Sequence, residues 1–114
     1  MEYTKVQLLL SEEVSALTSV EETYIPASGK SLVVSDFMGS VQSQDGIVLL
    51  IWKYGEADEQ IIWTLPESSD ALSFEFTPPE EEVNGTNKIA LIIENNNLSS
   101  QYMSGCVVLE MENV

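Results

Sequence analysis

Carboxylates dominate whatever chemistry this chain could perform: it holds 19 acidic residues against 4 basic ones, with no histidine and one cysteine. Two carboxyl groups flanking a sugar bond can act as acid and nucleophile in glycoside hydrolysis. Asp36 with Asp45, Glu56 with Asp58, and the run Glu80-Glu81-Glu82 each supply such a pair by residue type. In so acidic a chain, however, neighbouring loop carboxylates arise by chance, and a solvated surface is the simpler expectation. A hard cation such as calcium needs several converging oxygens. The loop of Asp45 and that of Glu80, Glu81 and Glu82 beside Asn84 are the candidates, although neither has the spacing of an EF-hand. No cofactor is expected, and calcium is the one ion these loops leave open.

Other chemistries are excluded by residue type. Without histidine there is no Ser-His-acid or Cys-His nucleophile and no histidine ligand for zinc. One cysteine, Cys106, allows neither an intrachain disulfide nor an all-cysteine metal site. It lies in the apolar run Cys106-Val107-Val108-Leu109, where a buried small hydrophobe is expected rather than a reactive thiol. Gly29-Lys30-Ser31 has the ending of a phosphate-binding loop, but Tyr24 stands where the first glycine belongs. The chain is therefore expected not to be an enzyme.

Aromatic residues offer a different kind of site. Trp52, Tyr54 and Trp63 fall on consecutive expected strands joined by a short turn, so one sheet can carry all three. Exposed, they would anchor a protein interface or stack on sugar rings. The alternative is that Trp52 or Trp63 fills the core.

A net charge of -15 works against nucleic-acid backbones and anionic membrane surfaces, which both call for clustered Lys or Arg. The longest apolar run, Ile47 to Trp52, falls far short of the roughly 20 residues of a membrane helix, so no membrane insertion is expected. Met1-Glu2-Tyr3-Thr4-Lys5 lacks the pattern of a signal peptide, which points to synthesis in the cytoplasm. A length of 114 residues is that of one domain, taken as residues 1–114.

The elements that must position these residues are strands, because apolar residues recur at a period near two. Tyr3 to Leu10 puts Val6, Leu8 and Leu10 on one side. After Ser11-Glu12-Glu13, Val14 to Ile25 reads as one long strand or two short ones, with two helical turns over Val14 to Val20 as the alternative. Pro26 to Lys30 is a turn, and Ser31 to Val41 alternates poorly, with Leu32, Val34 and Met38 interleaving Val33 and Phe37. Ile47 to Tyr54 is apolar on both faces, and Val48, Leu50, Trp52 and Tyr54 share one of them. Glu59 to Leu65 follows, with Ile61 and Trp63 together; then come Leu72, Phe74 and Phe76 on one side. Pro78 to Glu82 is expected as an exposed loop. Lys88 to Glu94 turns Ile89, Leu91 and Ile93 inward, Asn95-Asn96-Asn97 makes a polar loop, and Tyr102 to Met111 closes the chain. About eight antiparallel strands at short, regular spacing specify an all-β sandwich, with a jelly roll as the expected wiring.

Four stretches carry a likeness: Ile25-Pro26-Ala27-Ser28-Gly29-Lys30-Ser31-Leu32, Val48 to Gly55, Ile62-Trp63-Thr64, and Lys88 to Asn95. In layout they resemble the small β-sandwich accessory proteins of tailed bacteriophages: capsid decoration, collar or tail components. The resemblance spans roughly Ile25 to Leu109 and holds no catalytic or binding motif. It implies a non-enzymatic virion protein that associates with itself and with other virion proteins. The same layout is similar to carbohydrate-binding modules, which makes a glycan-binding or receptor-binding module the alternative.

Overall fold

The computed structural model describes residues 2–28, 31–40, 46–66 and 69–113, and the alternating segments become eight strands among them. These are β1 (Glu2–Val14), β2 (Thr18–Tyr24), β3 (Ser31–Ser40), β4 (Gly46–Trp52), β5 (Gln60–Pro66), β6 (Ser69–Phe76), β7 (Ile89–Asn95) and β8 (Gln101–Asn113). All pairs are antiparallel, and they build two four-stranded sheets of order β1-β8-β3-β6 and β2-β7-β4-β5. Glu80–Glu82 forms a short 3-10 turn, and among the described residues no helix is long and apolar enough to cross a membrane.

The core lies between the sheets. Leu8, Leu10, Leu32, Val34, Phe37, Val107 and Leu109 face Val48, Leu50, Trp52, Ile89, Leu91 and Ile93 across it. Burial of these side chains is the main force holding the two sheets together. The expected inward residues Ile89, Leu91 and Ile93 are buried, as are Met103, Val107, Leu109 and Met111 of the last strand. Gly39 and Gly105 pair across β3 and β8, with Val48 of the other sheet against both. A Cβ at Gly39 would stand 2.7 Å from Val48 Cγ2, and one at Gly105 2.9 Å from Val48 Cγ1. Hydrogen in place of a side chain lets Val48 of the opposite sheet fill this space.

Several expectations give way to the structure. β1 runs on through Ser11-Glu12-Glu13, because an edge strand lets its carboxylates reach water without leaving the ladder. The break falls instead at residues 15–17, where Leu17 adopts φ 57 and Thr18 bonds back to the Ser15 carbonyl through both N and Oγ1. No helix forms over Val14 to Val20.

In β3 a bulge between Val34 and Asp36 reverses the alternation. Phe37 therefore enters the core while Met38 faces outward, contrary to the expected grouping of Met38 with Leu32 and Val34. Pro78 to Glu82 is not wholly exposed: Pro78 is buried and Glu82 half-buried, because Trp52 and Lys53 supply partners for the carboxylate. Asn95 is no loop residue but the buried end of β7. The backbone register places Leu72 opposite Phe37 and Phe76 opposite Val34, and Phe76 packs on the core. The side chains of Leu72 and Phe74 lie outside the described residues.

Candidate functional site

Trp52, Tyr54 and Trp63 do come from neighbouring elements, but the backbone sends them to three different environments. Trp52 ends β4 with its ring 1% exposed in the core. Its Nε1 donates to Glu82 Oε2 at 2.8 Å, so the one polar atom of the indole is satisfied. Lys53 then adopts φ 61, a left-handed conformation that interrupts the strand's alternation. Tyr54 consequently leaves the side of Trp52 and packs on a second apolar cluster, Ile51, Ala90 and Ile92, on the outer face of the sheet. Its hydroxyl hydrogen-bonds the Glu21 carboxylate of β2, which lies in register with Ile92. That bond, followed by partial burial, raises the tyrosine above its ordinary pKa.

Trp63 is 42% exposed on β5, an edge strand. A register shift pairs Leu50 with Trp63 and Ile51 with Ile61, leaving Ile62 as the extra residue of a bulge. Residues directly opposite in an antiparallel pair share a face. Trp63 thus sits at the rim on the core side of the sheet, and Ile61, 58% exposed, sits on the outer side with Ile51. The bulge separates two residues that simple alternation placed together.

A charged cluster locks the β4–β5 turn. Lys53 Nζ reaches Asp58 Oδ2 at 2.8 Å and Glu82 Oε1 at 2.7 Å. Hydrogen bonds to Asp58 and Glu82 raise the lysine above its ordinary pKa. The Lys53 ammonium, and for Glu82 also the Trp52 indole, hold the two carboxyls below theirs. Asn87 Nδ2 donates to the Glu82 carbonyl at 3.0 Å, so Glu82 ties the 3-10 turn to both ends of this region. Of the acidic residues considered for a cation, Glu82 has its carboxylate committed to Trp52 and Lys53, and Glu81 is exposed. Asp45 and the side chain of Glu80 lie outside the described residues. Among the described residues no group of three acidic or thiol side chains is placed to hold a metal ion.

The residues that sequence reasoning missed are structural anchors. Asn95 is fully buried, and its Nδ2 donates to the carbonyls of Val14 at 2.9 Å and Ser99 at 2.9 Å. Its Oδ1 accepts from the backbone N and Nδ2 of Asn97, each at 2.9 Å. One amide thereby joins the β1–β2 turn to the β7–β8 turn. The signal was present in the asparagine run, but polarity alone reads as exposure. Cys106 is buried between Leu9 and Met38 in the register of β1, β8 and β3, and Gln7 Nε2 donates to its sulfur at 3.1 Å.

No family model matches the chain, and no curated protein matches it. Among solved structures it is similar to a chain of Bacillus endospore appendages, which form a family of disulfide-linked pili. The TM-score is 0.55 at 12% identity, over 98% of this chain and 89% of that one. A Yersinia pseudotuberculosis-derived mitogen matches with a TM-score of 0.43 at 14% identity, over 82% of this chain and 86% of that one. The VP2 subviral particle of infectious bursal disease virus matches with a TM-score of 0.42 at 12% identity, over 96% of this chain and 32% of that one. At such identities the likeness is one of fold: a small two-sheet β-sandwich. It carries no phage-specific signal.

Proposed function

We propose that this chain is a non-enzymatic structural protein that acts through protein–protein assembly, as a capsid-decoration, collar or tail accessory component of a tailed-phage virion. The observation that carries the reading is the exposure of Ile61 and Trp63 on an edge strand of a chain with net charge -15. Large apolar side chains kept at the surface are what a protein interface buries, and tryptophan is prominent among interface anchors. Charge repulsion keeps free copies soluble before they dock. The subunits would be made in the host cytoplasm and reside in the virion.

The strand orders support a jelly-roll wiring, since each sheet interleaves strands from the two halves of the chain. Docking would be non-covalent. A polymer joined only by disulfides needs two thiols per subunit, whereas these 114 residues hold one cysteine, which is buried.

The test is incorporation into particles purified from producing cells. Changing Ile61 and Trp63 together to alanine is expected to remove the chain from particles while the isolated domain stays folded. Normal incorporation of that folded variant contradicts the reading.

The exposed indole of Trp63 also favours a second reading, a carbohydrate-binding or receptor-binding module that stacks a sugar on the ring. Within it Asn95 supplies no hydrogen bond to a ligand, because its amide is spent inside the fold.

A further inference from the structure

The two sheets end in four edge strands: β1 and β6 on one, β2 and β5 on the other. An edge presents unpaired backbone N–H and C=O groups, and proteins commonly guard it with charge. β1 carries Glu12 and Glu13, and β2 carries Glu21 and Glu22; the sequence of β6 includes Asp70 and Glu75, whose side chains lie outside the described residues. Gln60–Pro66, the whole of β5, carries no charged residue. In a chain with 23 charges (4 basic and 19 acidic), β5 is the edge strand whose sequence holds none.

Its side chains are suited to an added strand. Ile61 is exposed on the outer side and Trp63 on the rim of the core side, so one incoming strand covers an apolar residue on each face. The bulge at Ile62 twists the edge, which disfavours flat stacking. Charge selects the occupant. The turn entering β5 exposes Glu56, Asp58 and Glu59, and its lysine, Lys53, already holds Asp58 and Glu82. A second copy of this chain would bring another -15 to the same place.

We infer that β5 is a strand-addition site for an extended segment of a basic partner protein. The segment pairs antiparallel with Gln60–Pro66 and sets Lys or Arg at its C-terminal end against Glu56, Asp58 and Glu59. The polarity follows from geometry. β5 starts at the acidic turn, so an antiparallel partner finishes there. Main-chain hydrogen bonds supply affinity in this mode of recognition, and alternate side chains with the flanking charge supply selectivity. This inference rests on the assembly reading above and names its contact surface.

The experiment titrates the full 114-residue chain with synthetic peptides and follows backbone amide shifts by NMR. The probe is about seven residues of alternating valine and threonine ending in two lysines, a length matched to one strand. Shifts are expected along residues 60–65, with binding at least about tenfold tighter than for the same peptide ending in two glutamates or with its lysines moved to the N-terminal end. Methylation of alternate peptide nitrogens in the set that faces β5 is expected to abolish binding. Ile61→Lys is expected to weaken it about tenfold or more with no change in thermal unfolding. Leu98→Lys adds the same charge at the exposed β7–β8 turn and is expected to leave binding unaltered.

Absence of binding, shifts centred on another strand, or equal binding of the methylated peptides overturns the inference. So does a dimer of the chain itself that Ile61→Lys dissolves. If any of these occurs while the native chain still enters particles, the assembly reading stands and the β5 site falls.

Discussion

Trp52 Nε1 donates to Glu82 Oε2 over 2.8 Å, joining a ring in the core to a carboxylate at its margin. This bond lets a tryptophan fill the sandwich interior without leaving its N–H unpaired. Trp52→Phe is expected to destabilise the fold by about 1–3 kcal/mol through the lost hydrogen bond to Glu82 and the lost volume. Trp52→Ala is expected to cost about 3–5 kcal/mol. Urea unfolding measures both. In the native protein, acrylamide should quench one tryptophan, Trp63, and spare Trp52; equal quenching of both would place Trp52 at the surface.

Gly39 and Gly105 exist for Val48. Gly105→Ala is expected to destabilise by about 1–3 kcal/mol, since the new methyl meets Val48 Cγ1 in a packed core. Val48→Ala alone opens a cavity and also destabilises. The double variant is expected to be more stable than the sum of the two predicts, by about 0.5–3 kcal/mol, because each change relieves the other. Strict additivity in denaturant unfolding would show that the two residues do not meet.

Asn95 carries the contact between two turns. Asn95→Ala leaves the Val14 and Ser99 carbonyls without their donor and is expected to cost about 1–3 kcal/mol. Asn95→Asp is expected to be worse at neutral pH, where a carboxylate would face those same carbonyls, and to recover as acid protonates it. Thermal unfolding near neutral and acid pH, each referred to the native chain, distinguishes the two variants; an Asn95→Asp deficit that is the same at both would refute this placement.

The Lys53 cluster makes stability depend on pH in a direction fixed by its members. Lys53 holds Glu82 and Asp58 below their ordinary values, so the folded state binds fewer protons than the unfolded one there. Their stabilisation is full above the unfolded values of 4.5 and 3.8 and is lost as pH falls through the folded ones. Lys53 is raised from 10.5, so its share is full below that value and lost as pH rises through the folded one. Glu82→Gln is expected to flatten the acid limb of a stability-against-pH curve, and Lys53→Met to flatten both limbs. An unaltered acid limb in Glu82→Gln would remove Glu82 from the account.

Much of the fold was legible because alternation survives wherever a strand is regular. β7 and β8 show it, with Ile89, Leu91, Ile93, Val107 and Leu109 inward as the pattern requires. Legibility fails where one residue shifts the backbone. The bulge before Asp36 exchanges Phe37 and Met38, the bulge at Ile62 parts Ile61 from Trp63, and left-handed Lys53 parts Trp52 from Tyr54. None of these has a local signature: no glycine stands at Ser35, Lys53 or Ile62. The aromatic site was therefore readable as a set of residues but not as a surface. Asn95 and Glu82 were hidden for another reason: their burial depends on partners distant in sequence, Val14 for one and Trp52 for the other.

The central claim is that the exposed aromatic edge meets protein and not carbohydrate. A glycan array probed with the native chain, with and without calcium, tests it most directly. The account predicts that no sugar class is retained in either condition. Retention of one sugar class by the native chain, abolished in a folded Trp63→Ala variant, would contradict it and establish the stacking site instead.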